Sequence, residues 1–87
     1  MKEAAIPTGA QVRAMPATTV KALRKALEGA GLQVIPGGSH QRVETTDGTF
    51  IGSMPLAKAT PQALLNCRSY LAKHVERVRT QRDNSNA

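Results

Sequence analysis

Ser39-His40-Gln41-Arg42-Val43-Glu44-Thr45, then Thr46-Asp47-Gly48, then Thr49-Phe50-Ile51-Gly52-Ser53-Met54-Pro55-Leu56 is the stretch whose reading decides the fold. Both flanks mix β-branched and polar residues, and Asp-Gly between two such runs is one of the strongest short-range hairpin signals. With Asp47 and Gly48 as a two-residue loop, Thr46 faces Thr49 and the ladder continues as Thr45 with Phe50, Val43 with Gly52 and Gln41 with Met54. That face holds most of the apolar material and calls for a cover of helices. The other face then carries His40 opposite Pro55, Arg42 opposite Ser53 and Glu44 opposite Ile51. His40 and Arg42 are therefore expected on the same, more exposed side of the sheet.

Upstream, Leu32-Gln33-Val34-Ile35 reads as a short strand ended by Pro36 and the flexible Gly37-Gly38 pair. Before it, Val20, Leu23, Leu27 and Ala30 recur at helical spacing, with Lys21, Arg24, Lys25 and Glu28 opposite, Thr18 or Thr19 as cap and Gly29 and Gly31 as stops. Residues 1–17 hold Pro7, Gly9 and Pro16 with no sustained apolar period, which predicts an irregular, partly disordered N-terminal arm. Downstream, Thr60-Pro61 caps a long helix whose stripe is Leu64, Cys67, Leu71, Val75 and Val78, with Lys73 and Arg77 nearly opposite. Beyond Val78 no apolar anchor remains, so fraying is expected near residue 80 and residues 81–87 read as a disordered polar tail. The prediction is one α+β domain over 18–80, ordered α-β-β-β-α, with two helices packed on one face of a three-stranded antiparallel sheet. This is the element order of double-stranded-RNA-binding domains.

The 87 residues carry 12 Lys+Arg against 6 Asp+Glu, for a formal charge of +6, which favours an anionic partner, nucleic acid first, over a merely solubilising surface. A chain this short buries only about 60–65 per cent of its unfolded surface, so a deep substrate cavity is not expected. Tyr70 and Phe50 are its two aromatic residues, which excludes a multi-ring stacking platform and leaves phosphate and shape contacts to dominate. Cys67, the single cysteine, rules out an internal disulfide, fits a reducing cytosol and reads as core. No run approaches the roughly 20 apolar residues of a membrane span, and Met1-Lys2-Glu3-Ala4-Ala5-Ile6-Pro7 lacks the apolar run of a secretory signal, so a cytoplasmic protein is expected.

Gly37-Gly38-Ser39-His40 puts one imidazole at the start of a strand, behind a flexible turn. Histidine titrates near neutrality, so it is the natural proton carrier for a phosphodiester, although a turn followed by an ordinary strand histidine has the same sequence. RNA cleavage without metal needs a base for the 2′-OH proton, positive charge on the phosphoryl oxygens and an acid for the leaving 5′-oxygen. His40 can supply one proton transfer and Arg42 the charge, while the motif contains no second proton carrier. Ser39 either caps the turn or binds phosphate, and Gly37 and Gly38 either let the backbone approach a phosphate or merely connect two strands. His74, beside the apolar stripe, reads as a structural flank residue. His40, His74 and Cys67 lack metal-ligand spacing, so no metal and no cofactor is expected.

Leu23-Arg24-Lys25-Ala26-Leu27-Glu28-Gly29-Ala30-Gly31-Leu32 looks like the opening helix and glycine stop of the HicA-type mRNA interferase toxins, and Gly38-Ser39-His40 matches that family's glycine-serine-histidine signature. Met54-Pro55, a polar linker and a capped helix follow the family's third strand and second helix, so the resemblance runs from about Val20 to Val75. It implies a double-stranded-RNA-binding-domain fold, mRNA as substrate, His40 as the catalytic residue, support from Gly38, Ser39 and Arg42, and an antitoxin protein covering the His40 face. In related binding domains the first helix and the start of the second meet the RNA backbone, which singles out Lys21, Lys25 and Lys58. Members often carry a further histidine shortly after the proline that ends the third strand, where this chain has Leu56-Ala57-Lys58, and they begin almost directly with the first helix. Two other readings stay open: a non-catalytic RNA- or DNA-binding module of the same fold, and a phage or mobile-element protein-interaction factor acting through the arm or a sheet edge.

Overall fold

A computed structural model describes residues 6–56 and 58–86; the first five residues of the arm, Ala57 and Ala87 of the tail lie outside the described residues. The elements run α1 (Gly9–Arg13), α2 (Val20–Gly29), β1 (Leu32–Pro36), β2 (His40–Thr45), β3 (Phe50–Pro55) and α3 (Pro61–Asn86). The architecture is α+β, with a three-stranded antiparallel sheet in the order β1-β2-β3. The caps are those the sequence offers. Thr19 accepts from the Ala22 amide at 3.0 Å, and Thr60 accepts from the Ala63 amide at 3.1 Å ahead of Pro61. The apolar stripes of both long helices are buried: Val20, Leu23 and Leu27 on α2, and Leu64, Leu71, Val75 and Val78 on α3, closing over Leu32, Val43, Ile51 and Met54 of the sheet.

The first departure from expectation is the arm. Residues 9–13 form α1, opened by a capping box between Thr8 and Gln11, and Val12 is fully buried with Met15 and Ala17 beside it. Three side chains of α3 hold this segment along the helix. Arg79 donates to the Ile6 carbonyl at 3.3 Å, Glu76 accepts from the Gly9 amide at 2.5 Å, and Arg68 donates to the Met15 carbonyl at 2.7 Å. A Cβ on Gly9 would lie 2.8 Å from Glu76 Cγ and 3.1 Å from the Ala72 carbonyl, so glycine is what lets the two helices touch. A five-residue helix has too short an apolar period to be read from sequence, and partners 53 to 73 positions away make its burial invisible there.

The second departure is the hairpin tip. The Gly48 amide donates to the Thr45 carbonyl at 3.0 Å, Gly48 sits at φ +93°, and the Thr45 amide donates to the Thr49 carbonyl at 2.9 Å. This is a three-residue loop, Thr46-Asp47-Gly48, not the two-residue loop of the sequence reading. It shifts the ladder by one position, so Glu44 pairs with Phe50, and a bulge at Ile51 shifts it back, so Val43 with Gly52, Arg42 with Ser53, Gln41 with Met54 and His40 with Pro55 are the expected pairs. The two residues at the tip exchange faces: Ile51 enters the core and Phe50 turns outward beside Arg42. The tip's hydroxyls and carboxylate account for the choice, because the Thr49 amide donates to Thr45 Oγ1 at 3.0 Å while Asp47 accepts from both threonine hydroxyls and from Arg82 on α3.

The third departure is α3, which does not stop near residue 80 but continues to Asn86. Its 26 residues, at about 1.5 Å each, span about 39 Å and set the longest dimension of the molecule, 41 Å. Arg82, with Nη2 2.6 Å from Asp47 Oδ2, ties its far end to the hairpin tip and gives the last turns a polar anchor in place of an apolar one.

Candidate active site

His40 opens β2 and is exposed. The connection that delivers it is tight at one glycine and loose at the other. A Cβ on Gly37 would sit 2.7 Å from the His40 carbonyl oxygen, whereas a Cβ on Gly38 would meet nothing within 4 Å. Gly37 is thus required by the loop itself, and Gly38 faces open space. Ser39 Oγ lies 3.3 Å from His40 Nδ1, and Nε2 has no hydrogen-bond partner among the described residues. When Nδ1–H donates to Oγ, the Nε2 lone pair faces out and is the atom able to take a proton.

Behind His40, the fully buried Gln41 donates its amide to the Pro55 carbonyl at 3.0 Å, holding the end of β3 against the start of β2. Arg42 shares the His40 face, as the sequence spacing requires. Its Nε donates to Glu44 Oε2 at 2.8 Å and its guanidinium carbon stands 4.9 Å over the Phe50 ring, while no hydrogen bond holds its Nη atoms among the described residues. The guanidinium is fixed at one edge and open at the other, so its Nη edge is able to meet an anionic oxygen.

An open groove of 490 Å³ begins at His40 and runs between β3 and the first half of α3, lined by Ser53, Pro55, Asn66, Cys67 and Tyr70 among others. Beside it, Gly52 lets β3 come close to α3, since a Cβ there would come within 2.9 Å of Leu71 Cδ2 and 3.1 Å of Tyr70 Cε2. The Tyr70 ring, half exposed, packs at 4.1 Å centroid distance against His74. Cys67 is half-buried here and not in the core proper; burial pushes its thiol up, and Sγ donates weakly to the Ser53 carbonyl at 3.5 Å, so it lines the groove as a neutral thiol. Sequence reasoning missed the groove because His40 and Tyr70 are thirty positions apart; the helical phase of Ala63, Asn66 and Tyr70 was the available signal.

The basic residues fall in two places. Lys21 and Lys25 are exposed one turn apart on α2, the helix packed on β1, at the opposite edge of the sheet from the groove. Lys58 is exposed in the connection from β3 to α3, close in the chain to the groove's end. The fold therefore unites His40, Ser39, Gly38 and Arg42 and leaves Lys21 and Lys25 apart from them. Among the described residues no three His, Cys, Asp or Glu side chains cluster to hold a metal ion, and no helix is long and apolar enough to cross a membrane. No family model, curated protein or solved structure matches the chain.

Proposed function

We propose that the protein is a metal-independent endoribonuclease of the HicA type, in a fold like that of double-stranded-RNA-binding domains, with His40 as its catalytic residue. The observation that carries this reading is the exposed His40 at the mouth of the groove, with Ser39 against Nδ1 and Nε2 unengaged. Nε2 takes the proton of a 2′-OH, the 2′-oxygen attacks phosphorus, and the 5′-oxygen leaves with a proton from water, giving a 2′,3′-cyclic phosphate. The Nη edge of Arg42 faces the charge that develops on the phosphoryl oxygens. The order α2-β1-β2-β3-α3 and the excess of positive charge support the RNA-binding part of the reading. An antitoxin partner is expected to inhibit by covering the exposed His40 face.

The test is cleavage of a 5′-labelled single-stranded RNA by the purified protein in the presence of a chelator, beside the His40→Ala variant. The variant should cut at least about 100-fold more slowly, the lower range for losing a general base, and should bind RNA as the parent does. Equal cleavage by both proteins would remove His40 from the mechanism. Intact RNA with the parent, together with retained binding, would leave a non-catalytic binding module.

A further inference from the structure

The groove next to His40 has more built into it than a proton carrier needs. It is a groove of 490 Å³ broadly open to solvent, not an enclosed small-ligand cavity. The wall on α3 carries a half-exposed aromatic ring, Tyr70, and one turn before it the exposed side-chain amide of Asn66, whose Oδ1 accepts from Gln62 Nε2 at 3.2 Å and whose Nδ2 has no partner among the described residues. The helical phase continues past the groove: Asn66, Tyr70, Lys73 and Arg77 fall at steps of four, three and four, on one stripe. Lys73 and Arg77 are exposed and form no ion pair among the described residues. An aromatic ring, an amide and two unpaired cations in line, starting at a candidate phosphodiester-cleaving histidine, match the base, base edge and phosphates of a single strand.

We propose that the groove is a subsite for one unstacked nucleotide of single-stranded RNA, its base stacked on Tyr70, its edge met by Asn66, and the phosphates beyond it following Lys73 and Arg77. The assignment rests on the endoribonuclease reading for the neighbouring His40, and it names the substrate as single-stranded at that position. Bases splay out of a single strand without the unpairing that a duplex demands, so duplex RNA of the same sequence is the poorer ligand. Tyr70 acts here through its ring and not its hydroxyl. The ring lies next to the bare backbone of Gly52 and packs against His74 at 4.1 Å between centroids.

The experiment measures affinity by fluorescence anisotropy for a labelled 2′-O-methyl RNA oligonucleotide, which cannot be cleaved, so that binding is read apart from catalysis. Tyr70→Ala should weaken binding by about tenfold, as loss of one base–aromatic stack does, and Tyr70→Phe should restore it to within about twofold of the parent. Leu65→Ala, at an exposed apolar residue of α3 outside the groove lining, should leave affinity unchanged. Thermal unfolding of each variant verifies that the domain is folded. Unchanged affinity in folded Tyr70→Ala, equal affinity for duplex and single strand, or a loss in Leu65→Ala instead would each overturn the subsite. If Tyr70→Ala binds weakly while the parent cuts no RNA, the subsite stands and the catalytic reading falls.

Discussion

At the residue scale, adjacent glycines in the β1–β2 connection do different work. Gly37 has no room for a side chain, because a Cβ would press on the His40 carbonyl at 2.7 Å, while Gly38 has room for one and adopts no positive φ. Gly37→Ala should therefore cost about 1–3 kcal/mol of stability, read from urea unfolding, as overpacking against backbone does. Gly38→Ala should unfold at the parent's urea concentration or slightly above, and any effect it has should appear in RNA cleavage. The sequence pairs the two as equals, because adjacency in the chain carries no information about which backbone atom each faces. The same limit explains Phe50 and Ile51: alternation assigns them to faces, and the hydrogen bonds of Thr45, Asp47 and Thr49 reverse that assignment.

At the element scale, α2, β1, the stem of the hairpin and the start of α3 were legible because each is written in local chemistry: a threonine cap, a glycine stop, a Thr-Pro start, an apolar stripe. α1 was not, because its stability comes from α3. Val12 is fully buried against that helix, and truncating it to alanine removes about two methyl-sized groups from a closed site. Val12→Ala should lower the unfolding free energy by about 2 kcal/mol, and deleting residues 1–17 should lower it further. A deletion variant that melts with the parent would show the arm to be dispensable for the fold. The end of α3 was illegible for the same reason, since Arg82 is anchored by Asp47, an ion pair made across 35 positions. For the site, His40 and Arg42 could be placed on one strand face from spacing alone, whereas the groove needed α3 brought alongside β3.

At the scale of the whole molecule, the formal charge of +6 is spread over surfaces that face different ways. Lys21 and Lys25 lie on the helix over β1; Lys73 and Arg77 continue the stripe that leaves the groove. If the strand follows that stripe, the salt dependence of single-strand binding should respond unequally. Lys73→Ala should reduce the slope of log affinity against log salt by about 0.7, the value for one phosphate contact on a single strand. Lys21→Ala should leave that slope unchanged. The reverse result would place the backbone track over α2, where double-stranded-RNA-binding domains have theirs.

The bulge at Ile51 has a consequence for how this chain tolerates change. The three-residue loop adds one step to the ladder and the bulge takes it away, so from Val43 and Gly52 onward the strands are aligned as though the tip had closed on two residues. Rearrangement at residues 44–51 is cancelled before it reaches His40. The register at the His40 end of the hairpin is thereby independent of the length of its tip, and the imidazole keeps its place opposite Pro55.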